Sequence, residues 1–179
     1  MELKEAIGKR HSTRNFKKHL GAVRLKDVFE VLESALHAPM AGNVCTLRVV
    51  LVEDKMTKER IAKNSPGNEF LGEADKILAV FSDPKQAKNM YGEKGEIYAH
   101  QQAGAAIQNM LLTATSLNIG SCWVGSFDEG AVKRLLKIPG EFKMEALIPL
   151  GKEFKKAERR RKPSFKEVVF YNKFGKKIQ

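Results

Sequence analysis

IYAHQQAGAAIQNMLLTATSLNIGSCWVGSF, residues 97–127, contains no Asp, Glu, Lys or Arg in a chain of 179 residues of which 30% are charged. A stretch that sheds every charge in such a background is an element the fold encloses. It opens with a helical pattern over Tyr98–Leu117 and turns through Asn118-Ile119-Gly120. It then closes on Ser121-Cys122-Trp123-Val124-Gly125, which predicts a buried strand holding the only tryptophan. His100, Gln101, Gln102, Gln108, Asn109, Thr113 and Thr115 interrupt any run long enough to span a bilayer, which takes about 20 predominantly apolar residues. The small-residue cluster Ala103-Gly104-Ala105-Ala106 suits tight helix packing. It equally suits the close approach of a partner subunit or a flat ligand.

Working outward, the length fits one domain able to bury a substantial core. No repeat or low-complexity segment divides it. Met1–Lys9 lacks the apolar core of a secretory signal. Cys45 and Cys122 form neither a CxxC pair nor a metal spacing. These features together predict a cytoplasmic protein with reduced thiols. Four dispersed histidines and no HExxH pattern give no metal site. The net charge of +11 attracts polyanions in general. Dense basic runs are confined to Glu158–Lys162 and Lys173–Lys177, and the spread of the remaining charge suits solubility or heat resistance, or an anionic small cofactor, as well as nucleic acid.

In chain order, Glu2–Lys9 predicts a short amphipathic helix and Leu25–His37 a second, stopped by Pro39 and Gly42. Leu47–Val52 and Lys76–Phe81 read as strands, with a helix over Lys58–Lys63 between them. Asp83–Gly95 reads as a surface loop or short mobile helix. Asp128 is placed to cap a helix running to about Leu136, and Ala146–Leu150 is a last core strand ended by Gly151. In the charged C-terminal stretch, Val168-Val169-Phe170-Tyr171 reads as a strand or arm that joins another surface.

Arg10-His11-Ser12-Thr13-Arg14, where the first helix gives way to extended chain, offers two guanidinium groups, hydroxyls and free backbone N–H groups. This is the donor set of an anion such as phosphate. A solvated basic loop is the plainer alternative for this segment in isolation.

Arg10-His11-Ser12-x-Arg14-x-Phe16, Ala38-Pro39-x-Ala41-Gly42-Asn43, Asn68-Glu69, Ala105-Ala106-x-Gln108-Asn109-Met110-Leu111-Leu112, Gly120–Gly125 and Leu135-x-x-x-Pro139 together resemble the FMN-dependent nitroreductase family in order and approximate spacing. The resemblance implies an α+β fold, a three-layer α/β/α arrangement with a mixed, mostly antiparallel sheet, in an intertwined homodimer. Residues 1–163 would form the FMN-binding domain and 164–179 an arm packing on the partner subunit. It implies that Arg10, His11 and Ser12 lie at the phosphate and ribityl chain, and Arg14 at the pyrimidine end of the ring. Arg159 and Arg161 would complete the phosphate site. Pro39, Met40 and Asn43 would border the isoalloxazine, Asn68 would meet the ring edge, and the backbone of Trp123, Val124, Gly125 and Ser126 would face N5.

The activity implied is hydride transfer from NADH or NADPH to flavin N5 and on to an electron-poor small molecule, a nitroaromatic, quinone or similar, in ping-pong order. The flavin carries the chemistry and no catalytic side chain is required. The chain departs from the family pattern where Val44-Cys45-Thr46-Leu47 follows Asn43, where Met40 follows Pro39, and at Leu71. FMN binding survives these departures, and no acceptor preference follows from them. The alternatives are a non-redox flavin- or nucleotide-binding protein, and a basic protein that binds nucleic acid.

Overall fold

The computed structural model describes residues 1–16, 21–154 and 161–177. Its helices are α1 (Leu3–Lys9), α2 (Leu25–Leu36), α3 (Lys55–Lys63), α4 (Lys85–Tyr91), α5 (Lys94–Ser116), α6 (Glu129–Leu136) and α7 (Phe165–Val168). Its strands are β1 (Leu47–Val52), β2 (Lys76–Ser82), β3 (Gly120–Ser121) and β4 (Lys143–Gly151). They form one sheet in the order β1-β2-β4-β3, with every pair antiparallel.

β2 is buried at every position because helices cover both faces of the sheet. Its alternating side chains divide cleanly. Leu78 and Val80 join Ala146, Ile148 and Leu150 of β4 against Val28, Val31 and Ala35 of α2 and against α5. Ile77 and Ala79 join Leu147 against Ile61 of α3, Leu71 and Val132 of α6. This is the three-layer α/β/α arrangement, with α5 as the central helix of one layer. Gln102, buried on α5, accepts from the backbone N–H of Thr46 at 3.0 Å and from its hydroxyl at 2.6 Å. That pair fixes the entry to β1 against the helix.

Three expectations from sequence are corrected. Asp83–Gly95, read as a surface loop or short mobile helix, holds the short helix α4, and α5 begins at Lys94 rather than Tyr98. Gly95 is the residue that lets α4 cross α5. A Cβ there would lie 2.2 Å from the carbonyl carbon of Ala87.

The strand expected over Ser121–Gly125 is interrupted. Gly120 and Ser121 pair with Gly151 and Leu150, and the pairing resumes only at Val124, which exchanges both backbone hydrogen bonds with Leu147 at 3.0 and 2.9 Å. The intervening register sets Cys122 opposite Pro149. Residues 147 and 149 turn their N–H positions to the same side, and proline has none to give. The ladder therefore breaks at Cys122, and Trp123 turns outward over Gly104 of α5 with 41% exposure.

The C-terminal segment is a helix followed by a hairpin rather than a strand at Val168–Tyr171. Ser164 and Glu167 form a reciprocal capping box that starts α7. Phe170 then bridges back to Lys177 through a turn with Asn172 and Gly175 at positive φ. As expected, Asp128 caps α6 by accepting from the Ala131 N–H at 2.8 Å.

α5 leaves one flank open. Ile97, Gln101 and Gln108 are exposed along α5. Leu25, Phe29 and Leu36 are exposed along α2, as are Leu3 and Ile7 on α1.

Candidate cofactor site

Residues 10–16 leave α1 in extended form and run along the β3 edge of the sheet. The Thr13 N–H donates to Ser121 O at 2.9 Å, and farther along Phe154 N–H donates to Asn15 O at 3.0 Å. Phe16 is bridged to Glu153. The segment thus lies between β3 and the chain leaving β4, anchored by the buried Thr13 and Phe16.

The close approach depends on Gly120. A Cβ at that position would come within 2.9 Å of Thr13 Cγ2 and 3.1 Å of Gly151 O. Gly120→Ala is therefore expected to push residues 12–14 off the sheet edge. The cost is about 1–3 kcal/mol, typical of overpacking, and chemical denaturation measures it.

Successive side chains of the segment point in opposite directions. Ser12 lies at the buried thiol of Cys122, with the charges of Arg14 and Arg10 acting on it. Burial raises that thiol above its ordinary range, against the opposing influence of the Arg14 charge, a hydrogen bond from Ser12 and the Arg10 charge. His11 and Thr13 face the other way, toward Glu153. The structure therefore separates His11 from the other three.

The wall next to this group is held by Asn68. Its amide nitrogen donates to Ser126 O at 3.0 Å and to Pro66 O at 3.3 Å, which leaves the amide oxygen as its acceptor. Val124 is buried in the inner layer, while Gly125 and Ser126 are exposed. Trp123 turns its ring to α5 and away from Cys122, so its backbone is what it offers to a site here.

Pro39, Met40 and Asn43 occupy a different environment. Their loop follows α2, with Asn43 N–H donating to Met40 O at 3.2 Å, and its backbone at Gly42 lies against Met90 and Tyr91 of α4. Its neighbours are α4 and α5. Pro39 and Asn43 are exposed. Arg159 lies outside the described residues. Arg161 is exposed and 3.7 Å from Glu167 of α7.

Two residues at this edge escaped the sequence reading. Cys122 was legible only as a buried thiol, and Glu153 is an acidic residue at the head of a basic stretch. No group of three or more His, Cys, Asp or Glu among the described residues is placed to hold a metal ion. No helix among them is long and apolar enough to cross a membrane.

These features define a three-layer α+β protein with cationic and hydrogen-bonding groups gathered at the β3 edge of its sheet. The chain belongs to the nitroreductase family, whose model matches residues 62–152. It is 28% identical over 182 residues to the NADH dehydrogenase of Thermus thermophilus, covering 84% of this chain and 86% of that one. It is 26% identical over 194 residues to the oxygen-insensitive NADPH nitroreductase of Helicobacter acinonychis, covering 89% and 92%. The structure of a Desulfovibrio desulfuricans nitroreductase in complex with FMN superposes with a TM-score of 0.84 at 28% identity, over 97% of this chain and 98% of that one.

Proposed function

We propose that this chain is an FMN-dependent NAD(P)H oxidoreductase that works as a homodimer and reduces an electron-poor small molecule. The observation that carries the reading is the placement of Arg10, Ser12 and Arg14 beside a wall formed by residues 123–126 and locked by Asn68. The donor set fits FMN: the Arg10 guanidinium and the Ser12 hydroxyl suit its phosphate and ribityl chain, and the Arg14 guanidinium suits the pyrimidine end of its ring. A flat, uncharged backbone wall suits its ring, and the free Asn68 oxygen suits an imide N–H.

FMN, when bound, supplies the hydride acceptor and donor chemistry. Arg10 and Ser12 hold the anionic tail, and Arg14 sets positive charge near the pyrimidine end, where negative charge accumulates on reduction. Asn68 holds the wall at a fixed distance through Ser126. No side chain transfers a proton in this account. The relatives' names, an NADH dehydrogenase and an NADPH nitroreductase, support either nicotinamide as donor and leave the acceptor open to nitroaromatics or quinones.

The dimer reading rests on apolar surface. Phe29 is 58% exposed and Phe174 is 92% exposed, and α1, α2 and α5 each leave a flank open, with no Asp, Glu, Lys or Arg on α5 from Ile97 to Ser116. A second subunit covering them would bring a second proline loop, Pro39–Asn43, to the site. Purified protein is expected to be yellow and to release FMN on denaturation. Colourless protein that takes up no added FMN contradicts the proposal.

A further inference from the structure

The loop Pro39–Asn43 rests on α4, and that contact gives its outer edge a chemical character. Gly42 and Asn43 both take left-handed backbone, each with φ of 58°. The turn is closed by the Asn43 N–H donating to Met40 O at 3.2 Å and the Val44 N–H donating to Ala41 O at 3.1 Å. Its backbone at Gly42 is seated on the ends of two α4 side chains. A Cβ there would lie 2.7 Å from the Tyr91 hydroxyl oxygen and 2.8 Å from Met90 Cε. Glycine at this position thus serves both the positive φ and the close approach.

Tyr91 is also held by α5. Its ring meets that of Tyr98 edge to face, with centroids 5.2 Å apart and planes at 81°, a preferred aromatic geometry. The remainder of both α4 side chains is open, since Tyr91 is 37% exposed and Met90 55%. Lys88, the basic residue in the last turn of α4, is paired with Glu93 at 3.5 Å and with Glu96 at 3.2 Å, so its charge is compensated. With the half-buried Met40 of the loop, Met90 and Tyr91 offer two thioethers and a fixed phenol ring around one turn of backbone.

From the reading of this loop as a border of the flavin ring, we infer that Met90 and Tyr91 select the electron acceptor and favour flat, uncharged molecules of two fused rings. The loop residues assigned to the flavin, Met40 and Asn43, flank Gly42. A single-ring acceptor stacked on the flavin there touches the loop alone. A second fused ring extends across Gly42 onto the Met90 thioether and the Tyr91 ring, where sulfur and aromatic contacts hold it without any charge. A naphthoquinone is thereby preferred to a benzoquinone.

The test uses the full FMN-loaded chain and two redox-inert probes, naphthol and phenol, whose stacking on oxidised flavin is read as a charge-transfer absorption. Tyr91→Ala is expected to raise the dissociation constant of naphthol about tenfold and Met90→Ala about threefold, while that of phenol moves by less than about twofold. Tyr91→Phe keeps the ring and is expected to stay within about twofold of wild type for both probes. The ratio of kcat/KM for a naphthoquinone over a benzoquinone falls by the same factors.

Equal weakening of both probes, no weakening of either, or FMN-loaded protein that binds neither overturns the inference and leaves the flavin reading standing. A Tyr91→Ala protein that falls from dimer to monomer assigns α4 to subunit packing and overturns it as well. Met90→Ala, which removes no hydrogen bond and no ring contact, carries the comparison where Tyr91→Ala fails to fold. Protein that holds no FMN overturns the flavin reading itself, and the acceptor selection with it.

Discussion

Replacing Arg10 and Arg14 together by alanine is expected to weaken FMN binding by about 10²–10⁴-fold, from two charge-assisted hydrogen bonds of about 1.5–3 kcal/mol each. The two side chains flank Ser12 on the Cys122 side of the segment, and the backbone that presents them is fixed independently, through Thr13 and Phe16. Arg14 is exposed and Arg10 half-buried, so their removal is expected to alter the flavin-free protein by less than about 1 kcal/mol. The melting temperature should fall only in the presence of FMN, because the ligand stabilises by mass action what it binds. Thermal melts with and without FMN make the comparison. An equal loss in both would assign the arginines to folding.

Removing residues 164–179 is expected to shift the protein from dimer to monomer and to strip it of flavin. Phe165, Val168, Tyr171 and Phe174 are 56–92% exposed, far more apolar surface than a short terminal segment carries without a surface to cover. The hairpin is nonetheless ordered within itself. Phe170 and Phe174 pack with ring centroids 4.6 Å apart, and Lys177 sits over the Phe170 ring. A preformed, outward-facing aromatic hairpin is suited to anchor on another subunit at low entropic cost. Analytical ultracentrifugation with in-line absorbance reads both mass and flavin content. A truncated chain that remains a flavin-loaded dimer contradicts the role of the arm.

Much of this architecture is legible in the sequence because it rests on local patterns. The unbroken apolar run of β2 announces a strand covered on both faces, and Asp128 before Glu129 announces the start of α6. Arg10–Arg14 is recognisable as a donor set from residue types alone. What the sequence hides depends on pairing between distant positions. Pro149 breaks the ladder at Cys122, but only the register shows that the two are opposite each other. Gly95 carries no signal in the sequence that the Ala87 backbone lies against it. Val168–Tyr171 has strand-forming side chains, yet the Ser164–Glu167 capping box and the left-handed residues Asn172 and Gly175 turn it into a helix and hairpin. His11 and Glu153 are 142 residues apart, and neither carries a signal of its partner.

The exposed α5 flank has a similar history. An uncharged stretch in a highly charged chain indicated burial, and Ala103, Ala106, Ile107 and Met110 are indeed buried. Ile97, Gln101 and Gln108 are not covered by the chain itself. Under the dimer proposal the absence of charge along that flank has a physical reason, since unpaired charges there would have to be desolvated on association.

The most direct test of the central claim is anaerobic reduction of the FMN-loaded protein by NADH and by NADPH, followed through the visible absorption of the flavin. The account predicts bleaching by at least one of the two nucleotides, and recovery of the colour when a quinone or nitroaromatic acceptor is added after the nucleotide is exhausted. Flavin that stays bound and oxidised in the presence of both nucleotides would contradict it.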